Sequence, residues 1–114
     1  MTAYDKSNPH PAMQELYACY VQRISGNPYD EDRQIEKCAA LLMAHPCKRD
    51  GSAPSTEEAR KTAKLLFDTV YYLTEDCGVP RPAVIRLLRL VPTVQDFLQF
   101  QLYDPEKIRA MIRQ

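Results

Sequence analysis

"STEEARKTAKLLFDTVYYLTEDCG" (residues 55–78) reads as one long helix, about 56–77, between a capping serine and a closing glycine. Ser55 and Glu58 have the capping-box spacing, in which the serine hydroxyl accepts from the N–H three residues on and the glutamate reaches back. Ala59, Ala63, Leu66, Val70, Leu73 and Cys77 then recur every three or four residues, the period of one buried stripe. Phe67 and Tyr71 widen that stripe, and Gly78 stands where a left-handed residue ends a helix. At about 1.5 Å per residue the helix would span roughly 33 Å, the width of the whole domain. The other elements are therefore expected to pack around it.

The same grammar extends in both directions. Asn8-Pro9, Asn27-Pro28 and Asp104-Pro105 each set an N-cap residue before a proline at the first helical position, where its missing N–H costs nothing. Thr93 with Asp96 repeats the box spacing in its aspartate form, and Gly26 offers a second stop. Six helices follow, at about 9–25, 28–45, 56–77, 81–91, 94–103 and 105–113. Met13, Leu16, Tyr17, Tyr20 and Ile24 form the buried stripe of the first, and Ile35, Cys38, Ala39 and Leu42 that of the second. No segment alternates at period two, so no strand is expected. The fold class is all-α: a single domain over residues 1–114, a compact bundle of about six helices around a long central third helix. The stretch 46–55 is its exposed loop, the site expected to be open to proteases.

Composition narrows the function. The 114 residues carry zero formal net charge, so no global field draws the chain to nucleic acid or to an anionic membrane. The charge is nonetheless bipolar. Residues 1–79 hold nine Lys/Arg against twelve Asp/Glu, net −3, and residues 80–114 hold six against three, net +3. The longest apolar run, "CAALLMA" (38–44), falls far short of the roughly 20 residues of a membrane span. The first residues, "MTAYDKSNPHP", lack the pattern of a secretory signal, which implies a cytoplasmic location and free thiols at Cys19, Cys38, Cys47 and Cys77.

The stretch "EDCGVPRPAVIRLLRLVPT" (75–93) carries the most specific motif. With Gly78 at the turn, Thr74, Val79, Val84 and Leu87 fall where a helix-turn-helix wants its small and aliphatic residues, and the segment 70–91 resembles that motif. Arg81, Ile85, Arg86 and Arg89 would form the recognition face, with guanidinium groups for guanine edges or phosphates. In the plainer reading Val84, Leu87, Leu88 and Val91 are core, and the arginines are the wet edge of a packing helix. The helix before the turn is also longer than the motif's first helix usually is.

Other chemistry has little support. Cys38 and Cys47 lie nine apart and neither Cys19 nor Cys77 has a close partner, so the paired spacing of a zinc site is missing. His10 and His45 have no neighbouring carboxylate in sequence, and the three glycines all sit at turns rather than in a phosphate loop. No metal or cofactor and no catalytic activity are expected. Aromatic residues remain. Tyr71 and Tyr72 are adjacent on a helix and cannot both point inward, and "FLQFQLY" (97–103) is expected to leave Phe100 and Tyr103 near the rim. Tyr72, Phe100 and Tyr103 are thus candidate anchors for a partner. The expected function is non-enzymatic binding of a macromolecular partner, a protein acting with this chain as adaptor, inhibitor or regulator. The alternative is a DNA-binding regulator using residues 74–90. Self-association into a homodimer is compatible with either.

Overall fold

Ser55 Oγ accepts a hydrogen bond from the Glu58 N–H at 3.2 Å, and the central helix begins there. The structure is a computed structural model that describes residues 10–28, 30–46, 51–91 and 93–112. Among these residues there are six α-helices and no strand: α1 (Pro11–Ile24), α2 (Glu31–Ala44), α3 (Thr56–Tyr71), α4 (Arg81–Leu90), α5 (Val94–Leu98) and α6 (Pro105–Ile112). A π-helical turn (Tyr72–Asp76) extends α3, and a 3-10 turn (Gln99–Leu102) extends α5. No helix of the described residues is long and apolar enough to cross a membrane.

The spine is as expected. Ala59, Ala63, Leu66, Val70, Leu73 and Cys77 are all buried, and so is Phe67. α2 lies along α3, α5 also packs against α3, and α4 and α6 meet the π turn that continues it. α1 bridges α2 and α4. Met13, Leu16, Cys38, Leu42, Leu66 and Phe97 belong to one continuous core.

Helix starts follow local hydrogen bonds, and one expectation is corrected. α2 begins at Glu31 under Asp30, whose carboxylate accepts from the Arg33 N–H at 3.3 Å, and not at Asn27-Pro28. Asn27 is already committed to the end of α1. Its N–H returns to the Gln22 carbonyl and that of Gly26 to Arg23, both at 3.2 Å, the paired closure of a Schellman motif. Gly26 sits at φ +79° with open space around an added Cβ, so left-handed backbone and not crowding selects glycine. Thr93 Oγ1 accepts from Asp96 N at 3.0 Å, and Asp104 Oδ1 from Lys107 N at 2.8 Å, as the spacing requires. Asn8-Pro9 and Cys47 lie outside the described residues, as do 47–50 of the loop.

α1 is instead capped by a histidine. His10 is fully buried; its Nδ1 accepts from the Ala12 N–H at 3.0 Å and its Nε2 lies 2.7 Å from the His45 carbonyl oxygen. An N–H on one side and a carbonyl on the other assign the neutral ring with its proton on Nε2. This one side chain fastens the start of α1 to the end of α2.

Two departures from ideal α-helix redirect aromatic rings. Thr74 Oγ1 donates to the Val70 and Tyr71 carbonyls at 2.9 and 3.2 Å, competing with the backbone ladder, and Cys77 N–H closes a wide turn onto Tyr72 O at 3.0 Å. In the 3-10 turn residues three apart come into register. Phe97, Phe100 and Tyr103 therefore follow one another edge to face, with ring centroids 5.8 and 6.4 Å apart.

Candidate partner interface

The tighter turn decides the fate of the aromatic candidates. Phe100 is 8% exposed, a core residue and not a rim one, because the 3-10 turn swings it in beside Phe97. Tyr72 and Tyr103 are half-buried, and the Tyr72 hydroxyl donates to the Tyr103 carbonyl at 2.5 Å. All three residues do gather in one place, but there they join α5 to the end of α3. Tyr71 is half-buried as well: the Arg23 guanidinium lies 4.5 Å from its ring centroid.

The candidates on α4 stand differently. Ala83, Val84 and Leu88 are buried, and Leu87 and Val91 are half-buried. The opposite side carries Arg81, Arg86 and Arg89, all exposed, with half-buried Ile85 between them. Leu90 is 70% exposed, one turn beyond Arg86. α4 holds no carboxylate, and its first turn has neither an acidic residue nor a side-chain cap. Arg81 at a helix start opposes the macrodipole, which favours anions there by about 0.3–1 kcal/mol.

α1 extends this surface. Arg89 lies 6.0 Å from the ring centroid of Tyr17. Burial raises the Tyr20 phenol above its ordinary range, and the nearby charges of Arg81 and Arg23 pull it partway back. Two carboxylates are engaged elsewhere: Glu15 of α1 pairs with Lys37 of α2 at 3.5 Å, and Glu36 of α2 pairs with Arg60 of α3. Among the described residues Arg81, Arg86 and Arg89 have no ion-pair partner. Tyr17 and Leu90 were not legible as part of a site, since one lay on a core stripe and the other flanked one.

The helix-turn-helix pattern is met in burial and altered in backbone. Val79 and Val84 are buried, Thr74 and Leu87 half-buried, and Gly78 takes φ +65°. Residues 72–76, however, form the π turn, and α4 rests chiefly on α1. Compared with models of protein families, with curated proteins and with solved structures, the chain matches none.

A groove of about 600 Å³ between α1 and α2 is lined by Cys19, Glu15, Gln34 and Lys37 among others. Its thiol is held by Gln34 Oε1 and by Glu15 Oε1, the latter at 3.6 Å. Burial, and then the Glu15 charge, push the Cys19 thiol up to about 12; burial does the same for Cys38. At pH 8 only about one molecule in ten thousand then carries the nucleophilic thiolate at either residue. Alkylation of native protein by iodoacetamide, mapped by peptide mass spectrometry, is expected to leave both unmodified under conditions that label them fully in urea. Rapid native labelling of Cys19 would show that the groove is reactive. Among the described residues no three His, Cys, Asp or Glu side chains gather into a metal-binding group.

Proposed function

We propose that this chain is a non-enzymatic protein that works by binding another protein through the arginine face of α4, as an adaptor, inhibitor or regulator. The observation that carries the reading is one helix presenting Arg81, Arg86 and Arg89 without ion-pair partners among the described residues, beside an exposed leucine. Arginine beside tyrosine, as Arg89 stands beside Tyr17, is a composition enriched in interface hot spots. A cytoplasmic location suits it, because the thiols of Cys19, Cys38 and Cys77 are free and a reducing compartment keeps them so. Self-association is part of the same proposal, with no surface assigned to it.

The test is affinity capture from host extract by the wild-type chain and by Arg86→Glu/Arg89→Glu. A partner retained by the first and reduced at least about tenfold by the second is expected. Identical captured proteins would sink the reading. DNA binding by residues 74–90 remains the second reading, favoured by the burial of Val79 and Val84 with the arginines outward. It requires that Arg81→Ala and Arg86→Ala weaken duplex binding, and that affinity fall steeply between about 50 and 200 mM salt.

A further inference from the structure

We infer that the partner element seated on α4 is an acidic, amphipathic protein segment, a statement that rests on the function proposed above. Charge complementarity is the first argument. The chain as a whole is neutral, yet residues 80–114 carry net +3, and α4 contributes three of those positive charges and no negative one. Attraction is then local and short-ranged, screened beyond about 8–10 Å at physiological salt, which suits a docked segment better than a long polyanion.

Spacing supplies the second argument. Arg86 and Arg89 are three residues apart and Arg86 and Leu90 four apart, so Arg86 has the other two as neighbours on the helix surface, each about 5–6 Å away. Two carboxylates one helical turn apart on a partner segment match the arginine pair, and an aliphatic side chain beside them covers Leu90. Arg81 lies about 12 Å along the axis from Arg89, which sets the length of the contact at two to three turns.

The third argument separates protein from nucleic acid. A leucine 70% exposed beside Arg86 has nothing to gain from a sugar–phosphate backbone, but it loses its water against an aliphatic partner. Glu75 and Asp76, both exposed, stand immediately before the turn that leads into α4. They would repel phosphates, while a protein segment can meet them with a basic residue at one end. That order of charges gives the segment a direction.

The experiment is fluorescence anisotropy on the full chain with a labelled peptide of about 14 residues, glutamate and leucine arranged at helical spacing, beside its lysine-for-glutamate control and a duplex of roughly 20 base pairs. The glutamate peptide is expected to bind at about 50 mM salt and to weaken severalfold by about 200 mM. Arg86→Glu/Arg89→Glu should weaken it at least about tenfold, and Leu90→Ser about threefold or more with an unchanged salt dependence. All three side chains are exposed and the Arg89 contact with Tyr17 contributes little at such a site, so circular dichroism melts of the variants should stay close to wild type; Arg86→Gln/Arg89→Gln replaces the reversal if they do not. Absence of peptide binding at low salt, or equal binding by the charge-reversed chain, overturns the inference. Duplex binding tighter than peptide binding and indifferent to Leu90→Ser overturns it in favour of nucleic acid. Should the peptide fail while capture from extract still needs Arg86 and Arg89, only the acidic-segment inference falls and the proposed interface stands.

Discussion

Replacing Phe97 by alanine is expected to lower the unfolding free energy by about 3–5 kcal/mol, a large part of the ~5–15 kcal/mol that holds a domain of this size. Phe97 is fully buried on a helix of only five residues, too short to persist without tertiary packing. Its ring meets the edge of Phe100, Phe100 meets Tyr103, and the Tyr103 carbonyl receives the Tyr72 hydroxyl, so the loss is felt along the whole seam between α5 and the end of α3. Urea denaturation measures it: the midpoint should fall sharply with little change in slope. Phe97→Leu keeps most of the volume and should cost less than about 1.5 kcal/mol. If the alanine variant lost under about 1 kcal/mol, α5 would not be the anchored element described here.

Mild acid is the second expected large effect. Burial holds the His10 imidazole below its ordinary pKa of 6.5; the bond to the His45 carbonyl raises it in part, and the charge of His45 lowers it again. The fold therefore prefers the neutral ring. Its contribution is fully present above about pH 6.5 and is lost as pH falls from there through the lowered folded value. Geometry gives the same sign, since a proton on Nδ1 would face the Ala12 N–H that Nδ1 now accepts. Carboxylates ordinarily titrate below about pH 5, so a change between about pH 7 and 5 reports on imidazole, and loss of the effect in the His10 variant assigns it to His10. The urea midpoint should be level from pH 8 to 7 and drop between about 6.5 and 5. His10→Ala should be less stable at pH 7 by about 2–4 kcal/mol, from a lost cap and an unsatisfied carbonyl, and should show a flatter pH profile. A wild-type midpoint unchanged from pH 8 to 5 would refute the assignment.

These two effects sit on opposite sides of a line that runs through the whole molecule. The caps at Ser55, Thr93 and Asp104, the stops at Gly26 and Gly78, and the α3 stripe are all legible, because each joins residues three to six positions apart. The start of α2 was misplaced by three residues for a related reason: Asn27 could serve as either a cap or a stop, and the Gln22 carbonyl settled which. α-helical spacing places Phe100 at the rim, whereas the 3-10 turn brings it in beside Phe97.

By itself, then, the order of residues determined the all-α class, the number of helices, the long third helix and the arginines of α4. Tertiary structure alone decided that His10 would be fastened to His45, 35 positions away, and that Tyr72 would reach Tyr103, 31 away. It also decided that Tyr17 would lie under Arg89. Capping and periodicity are set by hydrogen bonds and angles within a turn or two of helix, whereas these pairings depend on which helix surfaces pack against each other and in what register.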